Sequence, residues 1–242
     1  MAVLDPTSRW RRILEPASTV LLIVASIAVV AAVVLDRRDP PLQRGPRRVE
    51  PALPAEPVSI EGAVLRGSDK ARVVLIEYSD FECPYCAKYA RETHPEISRQ
   101  YVDSGKVLLA FRHLPLSTHA NSQKAAEAAE CAGLQGRFWQ MHDLLFRNVE
   151  ELGDAYWRRY AGALALDLEK FDGCLAGDMS AKVRADVETA KTVGVSGTPT
   201  FLLGTRLEDG TVRITQRLRG AQSVKSFQAA FDALLSSELI AK

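Results

Sequence analysis

The sequence predicts an α/β domain in which a β-α-β unit, a long helical block and a β-β-α unit follow one another, preceded by a single N-terminal membrane helix. Two observations predict the domain: nearly continuous apolar runs typical of buried strands occur early and late, and helical periodicity fills the stretch between them. An uncharged run of 19 residues near the N-terminus predicts the membrane helix. With 47% hydrophobic and 25% charged residues, the composition excludes collagen and global disorder.

Charge and cysteine content narrow the possible functions. Lys and Arg number 31 and Asp and Glu 30, which leaves a net charge of +1. Without an excess of cations, the chain is not expected to bind nucleic acid. Four cysteines in 242 residues are too few for a disulfide scaffold, but two of them lie close together, so redox or metal chemistry is the first hypothesis.

The N-terminal segment is predicted to lie outside the folded domain. Residues 1–16 precede the uncharged run over residues 17–35, whose length matches the hydrocarbon core of a bilayer. We interpret residues 17–35 as an uncleaved signal anchor with residues 1–16 in the cytoplasm, and a cleaved signal peptide is the alternative. Six prolines over residues 36–57 predict a semi-extended tether. Arginines are more numerous after the run than before it, yet large domains can be translocated regardless of that count.

The domain at residues 58–242 begins with a β-α-β unit. Residues 72–78 (RVVLIEY) and 107–113 (VLLAFRH) are short apolar runs, as expected of strands buried on both faces. Between them, residues 84–101 are predicted to form a helix with Pro84 at its first position, where the missing N–H costs no hydrogen bond.

Residues 117–193 have helical periodicity and are predicted to form an inserted helical block. The segments predicted within and after the block are helices at 120–132, 168–175 and 179–193, strands at 201–204 and 211–218, and an amphipathic helix at 224–239.

Two cysteines stand at the junction of the first strand and the first helix, in the motif Cys83-Pro84-Tyr85-Cys86. At a helix N-cap, the sulfur of Cys83 faces unpaired N–H groups and the positive end of the dipole, which favour a thiolate and predict a nucleophile. Cys86 lies one turn deeper on the same face, where it could resolve a mixed disulfide on Cys83. Half of a zinc site and a purely structural disulfide are the alternatives, although the other two cysteines form no second tight pair for zinc.

Three segments carry a resemblance to a known family. They are EYSDFECPYC, then FRHLPL with AECAGLQGRFWQMHDLLF, then GVSGTPTFLLG. In this order they resemble the DsbA-type thiol–disulfide oxidoreductases, and the resemblance covers about residues 58–242. It implies a thioredoxin fold with an inserted helical domain, here preceded by the membrane helix.

The resemblance implies a role for individual residues. Cys83 attacks the substrate and Cys86 resolves the mixed disulfide, with their own disulfide as the redox group and no added cofactor. Pro199 is a cis-proline that faces the cysteines, and the backbone of Thr198 before it pairs with an extended substrate peptide. Glu77 is the acid that assists proton transfer at the deeper thiol. A lone buried charge on a strand is costly, which supports such a use.

By resemblance to related membrane-anchored and actinobacterial proteins, Cys131 and Cys174 form a structural disulfide. Two separate buried thiols are the alternative. A structural disulfide needs an oxidising compartment, which supports an extracytoplasmic domain in the periplasm or cell-wall space. The dipeptide Pro84-Tyr85 lacks the histidine of the strongest oxidants in the family, so the reduction potential stays open.

The resemblance implies an enzyme that donates a disulfide to unfolded or reduced exported proteins. Its reoxidation is expected from a quinone-linked membrane partner of the DsbB or vitamin K epoxide reductase type. A reductase or isomerase of the same fold is one alternative, and a membrane-tethered peptide-binding or chaperone module without turnover is another. Scattered histidines predict no metal site, although His113 could neighbour the active site from the end of its strand.

Overall fold

The computed structural model describes residues 52–177 and 179–240. Its strands are β1 (Val64–Arg66), β2 (Val73–Ser79), β3 (Val107–His113), β4 (Thr200–Arg206) and β5 (Val212–Arg219). The predicted membrane helix at 17–35 and most of the tether at 36–57 lie outside the described residues. Among the described residues, no helix is both long and apolar enough to cross a bilayer.

Helices connect and cover the strands. In chain order they are α1 (Pro84–Glu92), α2 (His94–Ile97) with a π-helical turn at Ser98–Val102, α3 (Ser122–Gly133), α4 (Phe138–Arg147), α5 (Asp154–Ala163), α6 (Leu168–Ala176), α7 (Ser180–Thr192) and α8 (Val224–Ile240).

Strand β2 lies at the centre of the sheet, whose strand order is β1-β3-β2-β4-β5. It is parallel to β3 and antiparallel to β4, while β1 and β5 add antiparallel strands at the two edges. Every residue of β2 and β3 is buried, as their apolar runs predict. Because β2 and β3 are parallel, their C-terminal ends lie side by side, and the loops after them leave the sheet at the same end. There the Leu114 N–H donates to the Ser79 carbonyl at 2.8 Å.

Alternate residues of β2 face different layers of the protein. Val74 and Ile76 pack with residues of α7, whereas Val73 and Leu75 pack with residues of α1 and α8. The helical block from α3 to α6 forms a third cluster, which includes the first turn of α1. That turn therefore lies between the sheet and the helical block.

The predicted elements occur in the predicted order, and most of their ends lie within two residues of the expected positions. The helix expected over 84–101 is the exception, because α1 ends at Glu92. Pro95 has no N–H to donate and its ring would clash with the carbonyl four residues earlier, so α1 cannot continue through it. The proline lies instead in the first turn of α2. Strand β1 was not predicted, since three residues are too few to show a period.

Candidate active site

Cys83 lies between β2 and α1 as the N-cap residue of α1. Its φ of −76° and ψ of 121° are extended, and its side chain makes no capping hydrogen bond. The Cys83 N–H donates to the Asp80 carbonyl at 3.1 Å, and the Cys83 carbonyl accepts the Ala87 N–H at 3.0 Å. Pro84 follows at the first helical position. The backbone thus closes the first turn and leaves the sulfur free for chemistry at the positive end of the helix.

The two thiols of the motif differ in exposure and in acidity. Both are free, and Cys83 is 4% exposed whereas Cys86 is 0% exposed. A hydrogen bond from the Cys86 thiol, helped by the N–H groups of Tyr85 and Cys86, outweighs burial and lowers the pKa of Cys83 to about 5. Burial, reinforced by the neighbouring Cys83 sulfur, raises the pKa of Cys86 well above its usual value. At neutral pH the outer sulfur is therefore a thiolate and the inner one is protonated.

A cis-proline loop lies against Cys83. The Thr198–Pro199 peptide bond is cis, and the protonated Cys83 thiol donates to the Thr198 carbonyl with an S···O distance of 3.6 Å. Strand β4 begins directly afterwards at Thr200, which pairs with Tyr78 near the end of β2. This register places the cis-proline loop at the C-terminal end of β2, where the segment that carries Cys83 leaves the sheet. The structure thus brings together the cysteine motif and the two loop residues that the resemblance implies.

Glu77 lies on the central strand, opposite Phe111 of β3 and Phe201 of β4. It is fully buried, and neither carboxyl oxygen has a hydrogen-bond partner in the part of the chain that the structure describes. Burial raises the pKa of Glu77 to about 8, so the carboxyl is mostly protonated at neutral pH. Ser79 lies on the same face of β2 and influences the pKa of Cys86. Glu77 is therefore a buried carboxyl, mostly protonated at neutral pH, on the same face of β2 as Ser79.

Hydrogen bonds join the loop between β2 and α1 to the segment that follows β3. They are accepted by the carboxylate of Asp80, which is 2% exposed. Its carboxylate accepts hydrogen bonds from the Glu82 N–H (2.8 Å), the Leu116 N–H (2.8 Å), His119 Nδ1 (2.7 Å) and the Ser122 hydroxyl. The sequence did not indicate that Asp80 and His119 belong to the site, because the two residues are 39 positions apart and no local sequence pattern predicts their contact.

His113, which from its place at the end of a strand could neighbour the active site, contacts a buried group of ion pairs. Its Nε2 lies 2.9 Å from Glu130, and its backbone N–H donates to Asp186 at 3.1 Å. Ligand atoms of these three residues lie within 4.8 Å of one another, a spacing that could hold a metal ion. Arg112 and Lys182 already pair with Asp186 at 2.6 and 2.7 Å, so ion pairs account for the cluster.

The remaining cysteines are joined to each other. Cys131 of α3 and Cys174 of α6 form a disulfide with their Cα atoms 5.7 Å apart. The bond spans 43 positions and links two helices of the helical block. It is separate from the free thiols of Cys83 and Cys86.

Comparison with known proteins identifies the family. Residues 59–232 match the family model described as Thioredoxin. The chain belongs to this family. It has a mixed α/β thioredoxin fold with a helical insertion, as the sequence predicts.

Solved structures of DsbA proteins share this fold. The alpha-DsbA1 of Wolbachia pipientis has a TM-score of 0.66 at 24% identity, over 76% of this chain and 96% of that one. Oxidised BdbD of Bacillus subtilis has a TM-score of 0.64 at 20% identity, over 77% and 100%. DsbA2 of Pseudomonas aeruginosa has a TM-score of 0.55 at 28% identity, over 76% and 96%. These matches show that the chain shares its fold with these proteins.

Curated relatives carry a different name. A protein named Na(+)/H(+) antiporter NhaA 3, from Salinispora tropica, is 43% identical over 160 residues, which are 65% of this chain and 24% of the antiporter. The NhaA of Herminiimonas arsenicoxydans is 33% identical over 178 residues, which are 73% of this chain and 26% of that protein. The chain thus spans about a quarter of the length of the curated relatives it matches.

Proposed function

We propose that this chain is a thiol–disulfide oxidoreductase that donates a disulfide to exported proteins through Cys83 and Cys86. The observation that carries the proposal is the asymmetry of the two thiols, of which the outer is acidic and 4% exposed and the inner is protonated and fully buried. An acidic thiol is a good leaving group. Its thiolate also stabilises the reduced enzyme relative to the oxidised one, so the disulfide passes readily to a substrate.

The proposed reaction begins with the oxidised enzyme, in which Cys83 and Cys86 share a disulfide. A substrate thiolate attacks the Cys83 sulfur, the bond to Cys86 breaks, and Cys86 leaves with the electron pair. Because the pKa of Cys86 is raised, this sulfur takes up a proton, which protonated Glu77 can supply. A second substrate thiolate then attacks the substrate sulfur and displaces Cys83 as a thiolate. The substrate gains a disulfide, and the enzyme holds the two electrons.

The loop at Thr198 is the proposed binding surface for the substrate backbone. Its carbonyl lies 3.6 Å from the Cys83 sulfur, so it is next to any substrate segment joined to Cys83 in a mixed disulfide. There it can accept an N–H from an extended substrate segment. Main-chain recognition of this kind tolerates many sequences, which suits unfolded or reduced exported proteins as substrates.

The Cys131–Cys174 disulfide supports an extracytoplasmic position for the domain, since such bonds persist in oxidising compartments. Reduced enzyme must be reoxidised there, and we propose a quinone-linked membrane partner of the DsbB or vitamin K epoxide reductase type. The anchor predicted at 17–35 would keep the domain within reach of that partner. The antiporter relatives share too small a part of their length to support ion transport as a function of this chain.

Refolding of reduced ribonuclease tests the proposal. The oxidised full-length chain should restore ribonuclease activity, and Cys83→Ala should abolish this effect. Cys86→Ala is the matched control, because it also removes one sulfur of the motif but keeps Cys83. It cannot donate a disulfide, but when it is given oxidised ribonuclease its Cys83 thiolate should attack a substrate disulfide, release one substrate thiolate and accumulate as a mixed disulfide. A peptide-binding module without turnover would assist refolding equally well as Cys83→Ala.

Measurement of the Cys83–Cys86 reduction potential separates a disulfide donor from a reductase of the same fold. A donor needs a potential well above that of thioredoxin, near −270 mV. A potential at or below that value would assign the chain to reduction instead.

A further inference from the structure

The loop that precedes Cys83 carries two carboxylates with fixed positions. Asp80 is buried and binds the segment after β3 through Leu116, His119 and Ser122. Glu82 binds the same segment, because its carboxylate accepts the Asn121 N–H at 2.6 Å. The fold of the loop therefore places two carboxylates within three residues of the nucleophile.

Carboxylates so close to the nucleophile oppose its ionisation, since a nearby negative charge raises the pKa of a thiol. A positive charge held against one of them reduces this opposition. Tyr85, inside the motif, carries no such charge. His119 is suitably placed, because its Nδ1 lies 2.7 Å from the Asp80 carboxylate and its side chain is 21% exposed.

We propose that His119 is a positioning residue of the disulfide-exchange site, and that its protonated ring offsets the charge of Asp80 so that Cys83 is held as a thiolate. The inference rests on the proposed function and adds a residue that the motif does not contain. The ion pair lets Asp80 keep all its hydrogen bonds to the loop while its negative charge is compensated by the ring of His119.

The hydrogen bond to Asp80 determines which nitrogen of His119 titrates. Nδ1 donates to the carboxylate in both protonation states, so the additional proton binds Nε2. Partial burial lowers the pKa of His119, but the hydrogen bond to Asp80 and the charges of Asp80, Cys83 and Glu82 outweigh burial and raise it above the usual 6.5. The ring is therefore protonated throughout the range near pH 5 in which Cys83 titrates.

Coupling between two titrating groups is reciprocal, and this gives a test without any change to the site. The imidazole NMR titration of His119 is recorded for the reduced and the oxidised full-length protein, with the resonance assigned by its loss in His119→Asn. In the oxidised form Cys83 has no thiolate, so the pKa of His119 should fall by about half a unit or more. In Cys83→Ala, the reductant should cause no such shift.

A variant tests the same coupling from the thiol. Asn offers an amide N–H in place of Nδ1–H, so His119→Asn keeps the bond to Asp80 and removes only the titratable charge. Thiolate absorbance should then show the Cys83 pKa raised by about half a unit or more, and the reduction potential of the motif should fall. Thr118→Ala, an exposed neighbour on the same segment, should change neither quantity.

The outcomes distinguish this inference from the proposed function. An identical His119 pKa in both redox forms, or an unchanged Cys83 pKa in folded His119→Asn, would overturn the role of His119 even if ribonuclease refolding succeeds. Failure of ribonuclease refolding, with the reciprocal pKa shifts still present, would instead overturn the donor function.

Discussion

At the scale of single residues, Glu77 shows how the fold opposes an ionisation. Burial raises its pKa from 4.5 to about 8. Between these values the unfolded chain releases the proton and the folded chain retains it, so the folded state binds more protons and its stability falls as the pH rises. From pH 4.5 to pH 7 this effect costs about 3 kcal/mol, at about 1.4 kcal/mol per pKa unit.

We therefore expect Glu77→Gln to be more stable than the wild type at pH 7 by about 2 kcal/mol, somewhat less than the full cost because the amide is also buried without partners. The gain should shrink to nearly zero at pH 4.5, and disulfide donation should slow because Cys86 loses its proton source. Urea unfolding at several pH values measures the gain. Glu188→Gln, at an exposed carboxylate paired with Lys191, should show almost no gain at any pH. A gain that does not depend on pH would contradict the assignment of the raised pKa to Glu77.

Residues of the site differ in how well the sequence predicts them. Cys83 and Cys86 can be predicted from the sequence, because both reactive thiols lie within one four-residue motif that follows a buried strand. Thr198 and Pro199 could be placed only by resemblance, since β4 brings them to the site from more than a hundred positions away. His119 could not be placed at all, because its role depends on a contact with Asp80 that exists only in the folded protein.

At the scale of elements, the hydrophobic period predicts the long strands and helices. It does not predict an end that is caused by a proline, or a short strand that is caused by a tertiary contact. Strands β2 and β3 follow from their apolar runs, and the helical block follows from its period. The early end of α1 depends on Pro95, whose effect on the backbone outweighs the apolar pattern that continues past it. Strand β1 forms because its backbone pairs with β3, a tertiary contact that its own three residues do not indicate.

The disulfide between α3 and α6 leads to a prediction about the helical block. Replacement of Cys131 and Cys174 by Ala should lower the free energy of unfolding by roughly 3 to 4 kcal/mol, because the bond closes a loop of 43 positions. Graded reduction with mass mapping should open Cys83–Cys86 first, since its reduction yields an acidic Cys83 whose thiolate is stabilised, and Cys131–Cys174 only later. Simultaneous opening of both bonds would show that Cys131–Cys174 does not have a structural role.

At the scale of the whole molecule, the first prediction concerns the side of the membrane on which the domain lies. Both cysteine pairs are proposed to work as disulfides, so residues 58–242 should be extracytoplasmic despite the arginines that follow the predicted anchor. Alkaline phosphatase fused after Lys242 should therefore be active. An inactive fusion, together with an active cytoplasmic reporter at the same position, would reverse the topology.

Redox state should also change the stability of the whole domain, and the direction should depend on pH. In the reduced form, the pKa of Cys83 falls from 9.0 unfolded to about 5 folded, so its stabilising effect is complete above pH 9 and is lost as the pH falls through 5. At pH 7 it contributes about 3 kcal/mol, because only the interval from 5 to 7 counts. The oxidised form lacks this contribution but gains roughly 2 kcal/mol from the short disulfide loop on the chain-entropy model. We therefore expect the reduced form to be the more stable by about 1 kcal/mol at pH 7, and the oxidised form to be the more stable at pH 4.

Denaturant unfolding of both forms at the two pH values, with Cys131–Cys174 intact and thiolate absorbance recorded in parallel, measures the reversal. An oxidised form that is clearly more stable at pH 7 would indicate a reductase and contradict disulfide donation.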